Sequence, residues 1–136
     1  MSLSEEERTI IVALEIEKAQ RIFSQINRLA ELGYWDNVAN RLYYSLFHAV
    51  SALLIQDGHK VSTHKGLAAA FGQYYVKTGV VGADDGRLYA QLQALREKSD
   101  YNCTYDAEEE DIRPRIEQAK ALIDKITQLI THHAQQ

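Results

Sequence analysis

Four polar side chains share one stripe of a segment that is otherwise apolar. On a helix turning about 100° per residue, Asn37, Arg41, Tyr44 and His48 fall within roughly 60° of one another. Between them lie Val38, Ala39, Leu42, Tyr43, Leu46, Phe47, Ala49, Val50, Leu53 and Leu54. A helix that is apolar nearly all round belongs inside a bundle. Its polar stripe must then meet polar partners, another subunit or a ligand. Two chemistries suit these residue types. In one, Arg41 anchors a phosphate, His48 exchanges protons and Tyr44 orients by its hydroxyl, which are the parts that cleavage of RNA needs. In the other, the stripe is a satisfied interior layer, with Arg41 paired to a distant carboxylate, for which Asp100 is the choice.

Two further groups carry chemistry. Arg96-Glu-Lys-Ser-Asp100-Tyr101-Asn102 places a cation and a carboxylate four residues apart on one helix. They are able to pair with each other, or to line a cleft between subunits together with Tyr101 and Asn102. His59, Lys60, His64 and Lys65 form a small basic cluster around a helix start. A phosphate contact aided by the helix N-terminus is one reading of it, and a solvated loop is the plainer one. No carboxylate or cysteine supports these histidines at metal-ligand spacing, so no metal site is expected. There is no glycine-rich phosphate loop and no nucleophile elbow, and no cofactor is expected.

The elements that must position these groups are helices. The chain has 136 residues, one Pro and seven Gly, few breakers for its length. Ser4 followed by Glu7 has capping-box spacing. It opens an apolar series through Ile10, Ile11, Leu14, Ala19, Ile22, Phe23, Ile26 and Leu29 that predicts a helix to about Leu32, stopped at Gly33. The central helix is expected over Asn37–Gln56, capped by Asp36 or Asn37 and ending before Asp57-Gly58. A third follows, capped by Ser62 or Thr63 and ending near Gly79. A fourth starts at Asp84 or Asp85 and runs to about Tyr101. The last is expected to begin near Asp111, with Pro114 in its first turns, the alternative being a kink at Pro114. The expectation is one all-α domain over residues 1–136, an up-and-down bundle of four to five helices. The tail from Thr131 is expected to fray.

The totals narrow the function classes. With 15 basic and 19 acidic residues the net charge is −4, which disfavours broad electrostatic binding of nucleic acid. The single cysteine, Cys103, has no internal partner. That suggests a reducing compartment, and Cys103 itself is expected to act as a small filler. No apolar run reaches membrane-span length and no signal peptide opens the chain. A cytoplasmic protein is expected.

Asn40-Arg-Leu-Tyr-Tyr-Ser-Leu-Phe-His-Ala49, followed by Thr63-His-Lys-Gly66, Phe71 and Arg96-Glu-Lys-Ser-Asp-Tyr101, resembles the HEPN superfamily. More narrowly, it is similar to a small prokaryotic subfamily with an N-R-x-Y-Y-x-x-F helix and a late R-x-x-x-D-Y helix. The resemblance spans about residues 5–130. It implies an all-α, commonly homodimeric bundle. It also implies a possible partnership with a minimal nucleotidyltransferase in a toxin–antitoxin or defence setting. Active members are metal-independent RNases with an Arg and a His separated by four to six intervening residues. Positions 97 to 103 read Glu-Lys-Ser-Asp-Tyr-Asn-Cys and supply no such His after Arg96, whereas Arg41 and His48 have six residues between them. The leading expectation is therefore a homodimeric HEPN interaction module. A metal-independent endoribonuclease using Arg41 and His48, or Arg96, comes next, followed by a nucleotide-binding domain.

Overall fold

The computed structural model describes residues 3–134, and among these there is no strand. The fold is built on α3 (Trp35–Gln56), against which α1 (Glu5–Phe23), α5 (Ala83–Tyr101) and α6 (Glu109–Ala134) pack. The shorter α2 (Ile26–Glu31) continues the line of α1, and α4 (His64–Phe71) runs into a π-helical turn over Gly72–Val76. With α1 and α2 taken as one interrupted rod, and α4 with its π turn as another, this is the five-rod all-helical architecture that the periodicity predicts. None of these helices is long and apolar enough to cross a membrane.

The burial of α3 follows from its sequence. Val38, Ala39, Leu42, Tyr43, Leu46, Ala49, Val50, Leu53 and Leu54 are all essentially inaccessible to solvent. They meet Ala19 and Ile26 from the first rod, Leu88, Tyr89 and Leu92 from α5, and Ile112, Ala119, Leu122 and Ile126 from α6. Burying whole apolar side chains at about 1.5–3 kcal/mol each is what fixes such a helix among its neighbours.

Several boundaries differ from expectation, each for a local reason. The first rod is not continuous to Leu32. Ser24 turns its hydroxyl back to the Arg21 carbonyl at 2.6 Å, a side-chain bond that competes with the helical ladder, and α2 starts afresh at Ile26. Ile10 and Leu14 were expected in the apolar stripe. They are 54% and 58% exposed, because at about 100° per residue they lie nearly opposite Val12. Helix α3 starts at Trp35, two residues early, and neither Asp36 nor Asn37 caps it. Asp36 instead accepts the Ala107 N–H at 3.0 Å, tying the start of α3 to the approach of α6.

Thr63 does cap α4, accepting the Gly66 N–H at 2.9 Å. Helix α5 starts at Ala83, with Asp85 reaching back to the Gly82 N–H at 2.8 Å rather than serving as the cap residue itself. Helix α6 starts at Glu109, two residues before Asp111, so Pro114 lies inside it. It stands at the sixth helical position, where its missing N–H would have met the Glu110 carbonyl. The tail remains helical to Ala134, and positions 135 and 136 lie outside the described residues. Cys103 is exposed and fills no gap.

Two core tyrosines carry a pH signature. Burial raises the pKa of Tyr89, with a further contribution from the adjoining Tyr43 phenol. Burial also raises that of Tyr75, whose hydroxyl donates to Asp57 Oδ2 at 2.5 Å. Unfolded tyrosine ionises near pH 10. Above that pH the unfolded chain binds fewer protons than the folded one, so stability falls as pH rises. Urea midpoints are expected to drop between about pH 10 and 11, with a shallower slope in Tyr89→Phe. An equal slope in the variant would count against burial of this phenol in the neutral form.

Candidate functional site

Adjacent residues on a helix point about 100° apart, and Tyr43 and Tyr44 use that divergence to reach different elements. The Tyr44 hydroxyl accepts from Arg96 Nη2 of α5 at 2.6 Å. The Tyr43 hydroxyl shares a 2.6 Å hydrogen bond with His64 Nδ1 at the start of α4. The two rings meet edge to face, 5.1 Å between centroids, a favoured aromatic geometry. The basic loop and the late-helix arginine, separate groups in the sequence, therefore converge on one tyrosine pair.

Arg96 is a confined cation, its side chain only 13% exposed. Its guanidinium carbon lies 5.4 Å, 5.3 Å and 5.8 Å from the ring centroids of Tyr43, Tyr44 and Tyr101. These distances suit cation–π attraction. Asp100 Oδ2 stands 3.3 Å from Arg96 Nε, an ion pair between successive turns of α5. Burial works against the charge on Arg96, but the hydrogen bond to Tyr44 and the nearby Asp100 carboxylate favour it, and its pKa is raised. The cation is thus fixed both in place and in charge.

The expected pairing of Arg41 with Asp100 does not form. Asp100 is held by Arg96 and, more weakly, by Asn40 Nδ2 at 3.5 Å. Arg41 donates to the Asn40 side-chain oxygen from Nε at 3.1 Å and Nη2 at 2.7 Å. Its guanidinium carbon is 5.8 Å from the Tyr44 ring centroid. Asn40 thereby links Arg41 to the Arg96–Asp100 pair. The reason is local: Asp100 follows Arg96 by one turn and meets it first.

His48 is elsewhere. It is two turns beyond Arg41, about 10.5 Å along the axis, and its Nδ1 lies 2.9 Å from Glu15 Oε2 of α1. The pair is largely enclosed, with side chains 15% and 26% exposed. Asn37 and Lys65 are exposed. Asn102 closes the turn after α5, accepting from the Thr104 N–H at 3.0 Å and its hydroxyl at 2.7 Å. Tyr101 is 77% exposed. Among the described residues, no three His, Cys, Asp or Glu side chains come together as a group able to hold a metal ion.

The residues that sequence reasoning passed over are Tyr43, Asn40, Glu15 and Phe47. Tyr43 carried a signal, a hydroxyl in the most apolar stretch of the chain, which must find a partner when buried. Phe47 stacks on His64 at 4.6 Å between centroids, but a phenylalanine in an apolar run has no polar atom to announce that role.

An all-helical bundle whose central helix presents an Arg–Tyr–Tyr face to a late-helix Arg and Asp defines a class of small helical proteins. The comparisons identify it. A family model for the HEPN domain matches residues 12–129. A UPF0332 protein of Thermotoga maritima is 39% identical over 94 residues, covering 69% of this chain and 71% of that protein. A protein of Methanocaldococcus jannaschii named as a candidate toxin is 32% identical over 124 residues, 91% of each chain. A UPF0332 protein of Archaeoglobus fulgidus is 30% identical over 88 residues, or 65% of this chain and 70% of that one. The chain belongs to the HEPN family.

The site's polar bonds should register in stability. Hydrogen bonds to charged groups are worth about 1.5–3 kcal/mol. Tyr44→Phe leaves a confined guanidinium without its hydroxyl acceptor and is expected to cost that much in urea unfolding. Tyr101→Ala, at an exposed ring, is expected to stay within about 0.5 kcal/mol of wild type. Equal costs for the two would show that Arg96 is held by the exposed ring as firmly as by the Tyr44 hydroxyl.

Proposed function

We propose that this protein is a toxin-like HEPN interaction module. It acts as a homodimer with a nucleotidyltransferase-type protein partner, in a toxin–antitoxin or defence setting. The supporting observation is the self-contained network at its site. Arg96, the cation on the motif helix, is matched by its own Asp100 and by Tyr44, and Asn40 carries the network on to Arg41. A site whose motif-helix cation is already paired suits recognition through a shaped surface. The toxin-like part draws on the candidate-toxin names of two Methanocaldococcus jannaschii relatives, 32% and 24% identical. The dimer and its partner draw on the habit of the family.

A second reading, a metal-independent endoribonuclease, is favoured by one specific observation. Arg96 and the imidazole of His64 lie against the same tyrosine pair. Arg41 and His48, by contrast, engage different partners.

The interaction reading makes a direct forecast. Light scattering at micromolar concentration is expected to give twice the chain mass of 15.5 kDa. Expression alone is expected to slow growth of a bacterial host, and co-expression with a nucleotidyltransferase-type partner to restore growth and yield a co-purifying complex. A monomeric mass over the whole concentration range would overturn the dimer. Unrelieved growth with no complex would overturn the partner.

A further inference from the structure

We infer that two copies of this chain pair through the outer face of α1, antiparallel across a two-fold axis, along the row Glu6, Ile10, Leu14 and Lys18. The inference rests on the homodimer of the reading above and assigns the face that makes it.

Three observations carry it. First, the row is one ridge. Its members are four residues apart, and side chains at that spacing stand one above another on a helix. The ridge points away from α3, because the buried Val12, Ala19 and Ile22 hold the opposite side of α1. Second, the middle of the ridge is apolar and uncovered. Ile10 is 54% exposed and Leu14 58%, whereas Ile11, Val12, Ile16, Ile22 and Phe23 of the same helix are buried or half-buried. Two such side chains one turn apart stand to gain from cover. Third, the two ends carry opposite charges that the chain itself does not use. Glu6 and Lys18 are exposed, and among the described residues their side chains make no hydrogen bond or ion pair. They lie twelve residues apart, about 18 Å along the axis, so they cannot pair with each other.

The order of the row selects its occupant. Negative, apolar, apolar, positive is its own complement when reversed. With the two-fold axis midway between Ile10 and Leu14, Ile10 meets the partner's Leu14 and Glu6 meets the partner's Lys18. The same two contacts then recur with the copies exchanged. A parallel pairing in register would instead set like charge against like charge at both ends. A two-fold interface presents the same patch on both copies, and interlocking ridges of this spacing are the commonest way that helices cross. The half-buried Ile11 borders the row and widens the contact. The apolar centre supplies the affinity. The exposed charge pairs add little attraction and fix the orientation. Two crossed helices cover less than the about 800 Å² per partner of a standard interface, so the dimer is expected to dissociate on dilution.

Sedimentation of the full chain over a concentration series reads the dissociation constant, with a urea midpoint recorded for every variant. Ile10→Gln and Leu14→Gln keep good helix formers at exposed positions. Each is expected to stay folded and to weaken the dimer by about tenfold or more, as loss of a central apolar contact does. Glu6→Lys and Lys18→Glu each bring like charges together at both ends. Each is expected to weaken the dimer by about threefold or more at low salt, and by less at high salt. An equimolar mixture of these two charge variants pairs opposite charges again and is expected to recover the wild-type affinity. If wild type is dimeric and every folded variant matches it, the assigned face is wrong while the homodimer reading survives. If the charge variants weaken but do not recover on mixing, the antiparallel pairing is wrong. A wild type that stays monomeric at every concentration overturns the homodimer reading and this assignment together, and leaves the row to a partner of another kind.

Discussion

Everything in this fold answers to the burial of α3. Its apolar residues demand cover around most of its circumference, and only the stripe that holds Asn37, Arg41, Tyr44 and His48 reaches solvent. That constraint sets the bundle, since α1, α5 and α6 each lie along it. It also sets the chemistry. The polar groups that α3 carries cannot be left without partners at such a position. Ser45 turns back to the Leu42 carbonyl, Tyr43 reaches α4, Tyr44 reaches α5 and His48 reaches α1. With Gln56 donating to the Ile130 carbonyl of α6, one helix thereby touches four others through polar bonds as well as through packing.

The tyrosines do work that phenylalanines could not. The rings of Tyr43, Tyr44 and Tyr75 pack in or against the core, and their hydroxyls carry hydrogen bonds to its edge. Tyr43 and Tyr89 lie 5.9 Å apart, and Phe71 stands 5.5 Å from Tyr89. An aromatic layer therefore runs from α4 through α5 to α3. Arg96 lies over its Tyr43 end, where stacking adds attraction that a lysine would match poorly. The charge is thus embedded in a hydrophobic layer while its partners stand at the rim.

Much of the fold was legible in the residues. Steps of three and four among apolar positions gave the rods, Thr63 gave a cap, and Gly33 gave a stop with φ of 76°. Arg96 and Asp100 were readable as a pair because they lie one helical turn apart. The remainder depended on how helices cross. Nothing in the sequence placed His64 on Tyr43, twenty-one residues away, or Glu15 on His48, thirty-three residues away. The break at Ser24 was hidden for another reason: a serine side chain can stay in solvent or bond backward, and local pattern does not choose between these. Asp36 read as a cap because short carboxylates do cap helices, yet a distant N–H claimed it.

The adjacency of Tyr43 and Tyr44 also governs how this protein can change length. One added or deleted residue within α3 turns everything beyond it by about 100°. An insertion between the tyrosines and His48 would swing that histidine away from Glu15. An insertion between Arg41 and the pair would separate Arg41 from the face of Tyr44. The loops over 57–63, 77–82 and 102–108 carry no such angular register, since each joins elements whose positions are set by their own packing. Length variation is tolerable there and costly inside α3. The central helix thus behaves as a fixed-length key, on which relatives can alter the loops freely but not the count of residues between one partner and the next.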